Sequence, residues 1–221
     1  MNQMSRHVGF VKFLACSFAI VMLVTTVGCM GGLAQLLYVI KGHKIPAEFN
    51  GLEGKRVAVV CISDASAYGP DTLTDTISKL VGMKLQNDVK GIEVVSAKTV
   101  EDWADQNVWD ETDFSAIGKG VKADVVVGIQ IADYSIKEGS TLYQGRCEVT
   151  ATVFDIKNDG QVIYLIGPDQ FQFPEQPRPA IQTNDRKFEA IFLAKLTEVI
   201  SRRFYAYDRL DTVAEDATFM R

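Results

Sequence analysis

The residue group best placed to meet a ligand is Ser63-Asp-Ala-Ser-Ala-Tyr-Gly-Pro-Asp71, which follows an apolar run and precedes a helical pattern. A loop between strand and helix turns amide N–H groups outward. Ser63, Asp64, Ser66, Tyr68 and Asp71 would set hydroxyls and carboxylates beside them. The same residue types cap helices and close turns, so the loop has a structural reading as well as a ligand-binding one. A second group is Asp102, Asp105, Asp110, Glu111 and Asp113 around Trp103 and Trp109. Its acidic face with aromatic anchors suits a basic partner, or else the tryptophans close the edge of the core. Phe171 and Phe173, set among prolines, offer a third docking element or further packing.

Other chemistry has no carriers. The two histidines, His7 and His43, both precede the folded body, which leaves no imidazole there to shuttle protons or to activate a cysteine. Gly51-Leu-Glu-Gly54-Lys55 lacks phosphate-loop spacing and comes before a strand instead of after one. The acidic residues present no spacing that selects an acid/base pair. No catalytic residue, metal ligand set or cofactor is assigned, and the expectation is a protein that is not an enzyme. Residues 1–28 hold Arg6 and Lys12 and no acid, so the remainder has 21 basic against 28 acidic groups, a net of −7. That balance excludes a nucleic-acid backbone as partner. With 47% hydrophobic residues in 221, the chain suits one globular domain plus one additional segment.

That segment is the N-terminus. Arg6, His7 and Lys12 precede Phe13–Val27, which is apolar except for Ser17, Thr25 and Thr26, the layout of a secretory signal. It ends on Thr26-Val27-Gly28-Cys29, which resembles the lipobox of bacterial lipoproteins, with Thr26 where that family usually has Leu. The resemblance implies removal of residues 1–28 and lipidation of Cys29. In the other reading the segment stays: Phe13 to Ile40 runs 28 residues without a charge, and about 20 suffice to cross a bilayer. Gly28, Gly31 and Gly32 oppose a continuous helix at roughly 1 kcal/mol each, while Leu33–Ile40 stays apolar. Both readings anchor the body to a membrane and face it to the periplasm or the exterior. Residues 29–55 form a membrane-proximal linker, with Lys41, His43 and Lys44 at headgroup level.

The elements that must position these groups lie in residues 56–207, followed by a frayed tail, 208–221. Val57-Ala-Val-Val-Cys-Ile62 is an unbroken apolar run, the mark of a strand covered on both faces. Leu73, Ile77, Leu80, Val81 and Leu85 fall at helical spacing after Pro70. Ile92–Val95 reads as a short strand, Val100–Val108 as a weak amphipathic segment, and Asp113 as the cap of a short helix through Ile117. Two long strands, Asp124–Ile136 and Gln144–Ile156, meet across Gly139, and Asn158-Asp-Gly160 turns into a third at Gln161–Ile166. Four of the six prolines fall in Gly167–Asn184, which predicts a surface loop there. Asp185–Tyr205 forms a long helix burying Phe188, Ile191, Phe192, Leu196, Val199 and Ile200, with Glu198 and Arg202 on its outer face. Cys61 and Cys147 sit on separate strands, as buried thiols or as a disulfide. The expected fold is α/β, a mixed sheet of about five strands in the order β-α-β-α-β-β-β-α, preceded by the signal or anchor helix.

In this order, and through Lys55-Arg-Val-Ala-Val-Val60, Ala123-Asp-Val-Val-Val-Gly128 and Val149-Thr-Ala-Thr-Val-Phe-Asp155, the chain resembles the small α/β domains of bacterial envelope lipoproteins. These include the curli secretion lipoprotein, the penicillin-binding-protein activator lipoproteins and the N-terminal domain of TolB. The resemblance implies a non-catalytic binding or scaffold role in envelope assembly or transport, with another envelope protein or a second copy as partner. The alternative is an uncleaved single-pass protein whose exported domain binds a small ligand or hydrolyses one.

Overall fold

A computed structural model describes residues 44–64, 72–107, 109–110, 113–179 and 184–208. The chain divides into two units, residues 1–45 with 208–215 and residues 46–207 with 216–221. Of the first, the description covers the two-residue strand Lys44–Ile45 and Asp208. The signal or anchor segment, Cys29 and the tail from 209 lie outside the described residues.

Among the described residues the second unit is built on a five-stranded mixed sheet with four α-helices. Strands β1 (Arg56–Ser63), β2 (Glu93–Val94), β3 (Val125–Glu138), β4 (Leu142–Asp155) and β5 (Gln161–Pro179) stand in the order β2-β1-β3-β4-β5. Pairings of β1 with β2 and with β3 are parallel, and those of β3 with β4 and β4 with β5 are antiparallel. Helices α1 (Thr72–Asp88) and α4 (Asp185–Ser201) cover one face; α2 (Ala97–Gln106) and α3 (Phe114–Gly120) cover the other.

The alternation of side chains along each strand divides the core in two. Val57, Val59 and Cys61 of β1, Val125 to Ile131 at every second position of β3, and Cys147 to Val153 of β4 meet Leu73, Ile77, Val81 and Leu85 of α1 and Phe192 and Leu196 of α4. Ala58, Val60 and Val126 point the other way, toward Val100, Phe114 and Ile117. β1 is thus covered on both faces, which explains its unbroken apolar run. Cys61 and Cys147 are buried without a disulfide, and burial pushes the Cys147 thiol up to about 12.

Local chemistry fixes the element ends. Ser96 caps α2 through the Thr99 amide, Asp113 caps α3 through Ala116, and Asn184 caps α4 through Lys187. Asp159 and Gly160 adopt φ of 57° and 76° in the tight turn before β5.

Two sequence expectations are corrected. Residues 167–179 are not a surface loop: they continue β5 along β4 as far as Leu142↔Pro179. Pro168, Pro174 and Pro177 are accommodated because β5 is an edge strand among the described residues and because pairing is interrupted where they fall, and Pro179 is the strand's last residue. Gly167 and Pro168 sit in a bulge between Ala151↔Ile166 and Val149↔Asp169, and Pro174 and Pro177 in another between Gly145↔Phe173 and Tyr143↔Arg178. There the buried Gln144 amide donates to the carbonyls of Pro174 and Glu175 at 3.2 and 3.1 Å. In α4, Glu198 is buried and Val199 is 38% exposed, the reverse of the expected pattern. The helix packs against α1 as well as the sheet, so its buried arc widens to include Lys195 and Glu198. The Glu198 carboxylate takes Lys195 on one oxygen and Arg202 on the other.

Candidate interaction surfaces

The loop after β1 is described only at its start. Ser63 is buried and paired with Ile131, and Asp64 follows it. The Asp64 carboxylate accepts the Asp133 amide at 3.1 Å, where Asp133 takes a φ of 53° at an irregularity in β3. Asp64 therefore ties the end of β1 to β3 just past the last paired position, Ser63↔Ile131. Ser66, Tyr68 and Asp71 lie outside the described residues. Among the described residues no group of three or more His, Cys, Asp or Glu could hold a metal ion.

Both tryptophans pack against the α2/α3 core, Trp109 at the start of α3 and Trp103 at its end. Trp103 is half-buried, its indole laid over Gly120 so closely that a Cβ there would overlap the ring. The Trp109 indole N–H donates to the Asp113 carbonyl at 2.8 Å, and its ring meets Phe114 edge-on, which in turn stacks on Phe154. Asp102 is paired with Lys98, and Asp105 and Asp110 are exposed. Phe171 and Phe173 belong to the opposite face, where Phe171 packs 5.3 Å from the Phe192 ring. The four aromatic residues therefore form two separate pairs on opposite faces of the sheet.

Two surfaces were not singled out by sequence. An open cleft of about 390 Å³ lies between α1, β2 and the start of α2, lined by Val59, Lys79, Gly82, Met83, Val94 and Ala97. Met83 at its mouth is 61% exposed. On the far edge of the sheet, β5 presents Val162, Ile163 and Leu165 at 50, 38 and 56% exposure. The run Val162-Ile-Tyr-Leu-Ile166 carried a signal for this, since uninterrupted apolar residues in a strand with one neighbour leave some of them uncovered.

The point where the chain enters this unit is clamped beside β5. The amides of Glu48 and Phe49 donate to the Arg203 carbonyl at 2.9 and 3.0 Å, and the Arg203 guanidinium donates to both Glu48 oxygens at 2.6 and 2.8 Å. Tyr164 donates its hydroxyl to Glu48 at 3.0 Å. The Phe49 ring stacks on Tyr164 at 4.8 Å and meets Phe204 edge-on at 6.3 Å. The Arg203 hydrogen bonds hold the Glu48 carboxyl below its ordinary range against the cost of burial.

No family model matches this chain, and no curated protein matches it in sequence. Among the solved structures similar to it is the lipoprotein GNA1162 from Neisseria meningitidis, 16% identical over 66% of this chain and 97% of that one, with a TM-score of 0.43. The PelC dodecamer from Paraburkholderia phytofirmans is 13% identical over 73% and 95%, with a TM-score of 0.41. The LpoB C-terminal domain from Salmonella enterica is 10% identical over 63% and 90%, with a TM-score of 0.36. Bacterial lipoproteins are thus among the solved structures whose fold is similar to that of this chain.

Proposed function

We propose that this chain is a membrane-tethered envelope lipoprotein whose α/β domain is a non-catalytic binding or scaffold module. The observation that carries the reading is the sequence of charged start, apolar stretch and Thr26-Val27-Gly28-Cys29 at its end. Acyl chains on Cys29 would insert with about 0.8 kcal/mol per buried CH₂, and several chains make attachment effectively permanent. From Cys29 to Pro46 an extended chain spans at most roughly 60 Å, so the domain works close to the bilayer. The clamp at Glu48 and Phe49 supports the same reading, because it fixes where a pull from the tether meets the domain.

The partner in this reading is another envelope protein or a second copy. Trp103 and Trp109 with exposed Asp105 and Asp110 suit a basic protein surface. Phe171 and Phe173 pack as support for β5, and the Ser63, Asp64, Ser66, Tyr68, Asp71 loop is a lesser ligand site. Fractionation tests the tether: the parent chain stays with membranes through a high-salt wash, and Cys29→Ala lowers that retention. Recovery of the parent in a plain-buffer cytosolic wash overturns the proposal. For the acidic face, Trp109→Ala reduces crosslinked capture of a partner while the fold is retained; unchanged capture removes that face from the interface.

A further inference from the structure

The two edges of the sheet are protected very differently. The β2 edge is two residues long, and Glu93 on it is ion-paired with Arg56. Short, charged edges resist pairing with another chain. Among the described residues the β5 edge has one strand neighbour, β4, and it begins with Gln161-Val-Ile-Tyr-Leu-Ile-Gly-Pro168, eight residues without a charge. Its outward N–H and C=O groups lie beside Val162, Ile163 and Leu165, which are themselves 38–56% exposed. A long, neutral, apolar edge of this kind is a template for strand addition.

We infer that the β5 edge is an isologous docking site for a second copy of this chain, antiparallel strand against strand. Charge favours this occupant. The body carries a net of −7, so two copies repel over most of their surfaces, whereas the Gln161–Pro168 segment meets its own image with no like charges opposed. A lipid surface covers the apolar side chains but leaves the edge amides without partners, at a cost of several kcal/mol per group. A second β5 satisfies both.

The chain's entry point supports the same geometry. The two-fold axis of an antiparallel strand pair stands perpendicular to the sheet, so the α1/α4 faces of both copies lie on one side. Tyr164 faces that side and holds Glu48 and Phe49. Both chains therefore enter their domains near the axis and on the same face, as two tethers in one membrane require. Eight residues of strand edge make an interface smaller than the roughly 800 Å² per partner of stable complexes. The association therefore draws on the roughly millimolar effective concentration that tethering provides, and in that respect it rests on the proposed tether.

The test uses the full chain in phosphatidylethanolamine/phosphatidylglycerol vesicles with single substitutions Val162→Cys, Ile163→Cys and Leu165→Cys, and Met83→Cys on the opposite side as control. The expected result is a disulfide-linked species of twice the monomer mass from at least one β5 position, several-fold above Met83→Cys. Adding a neighbouring charge, as in Val162→Cys with Leu165→Lys, lowers that yield to the control level. Equal yields at Met83 and β5, no crosslink at β5, or a yield insensitive to Leu165→Lys overturns the inference. Protection of the Gln161–Pro168 amides that rises with lipid at fixed protein density also overturns it, in favour of a lipid contact. Vesicle flotation reads the tether separately: a chain that fails to float refutes the tether, and crosslinking is then scored in solution at matched millimolar concentration.

Discussion

Replacing Phe49 by Ala removes the centre of the entry clamp. The ring makes one stacked pair with Tyr164 and one edge-on pair with Phe204, each worth about 0.5–1.5 kcal/mol beyond area burial. Fully buried Phe→Ala changes cost about 3–5 kcal/mol; Phe49 is half-buried, so a loss of roughly 2–3 kcal/mol is expected. At about 2–4 °C per kcal/mol for a domain of this size, the melting temperature falls by roughly 4–12 °C. Phe49→Leu keeps most of the apolar volume and loses about half as much. Hydrogen exchange adds a local readout, because the Glu48 and Phe49 amides both donate to the Arg203 carbonyl and lose protection selectively in Phe49→Ala. An unchanged melting temperature with those two amides still protected refutes the clamp.

Three further outcomes follow from the packing. Gly145→Ala drives a Cβ into the Phe192 ring, which has no exposure, and destabilises the domain by about 1–3 kcal/mol in chemical denaturation; a change below about 0.5 kcal/mol contradicts the packing. The Cys147 peptide resists alkylation at pH 8 in the native protein and is labelled only on unfolding, since burial holds the thiol near 12; rapid native labelling shows that β4 is open. Asp124 accepts from Lys157 at 2.8 Å and from the Arg56 amide at 2.9 Å, and these lower its pKa. A depressed carboxyl stabilises the fold above its unfolded value of 3.8 and loses that contribution as pH falls through the folded value. Asp124→Asn thus costs about 1–2 kcal/mol at pH 7, and its difference from the parent narrows below pH 3.8, whereas a constant difference excludes the ionic role.

What the sequence made legible was local or strictly periodic. The run at Val57–Ile62 identified a doubly covered strand, and Asp113 announced the start of α3. The Asn158-Asp-Gly160 turn placed β5 beside β4. The continuation of β5 to Pro179 was hidden because a proline is tolerated or not according to which side of the strand has a neighbour, and that depends on the whole sheet order. Glu198 and Val199 were inverted because the spacing in α4 reports one stripe, whereas α1 adds a second contact surface. Trp103 and Phe171 read as separate docking elements in the sequence, and the α2/α3 and α1/α4 layers place them on opposite faces of the sheet. The cleft beside Met83 depends on how three elements meet, which no single stretch of residues encodes.

The central claim is that lipid on Cys29 holds this domain at a membrane. Mass spectrometry of the mature N-terminus tests it most directly: the account predicts a chain beginning at Cys29 and carrying a diacylglycerol adduct. A full-length chain that keeps Met1 or Asn2 and leaves Cys29 unmodified contradicts it.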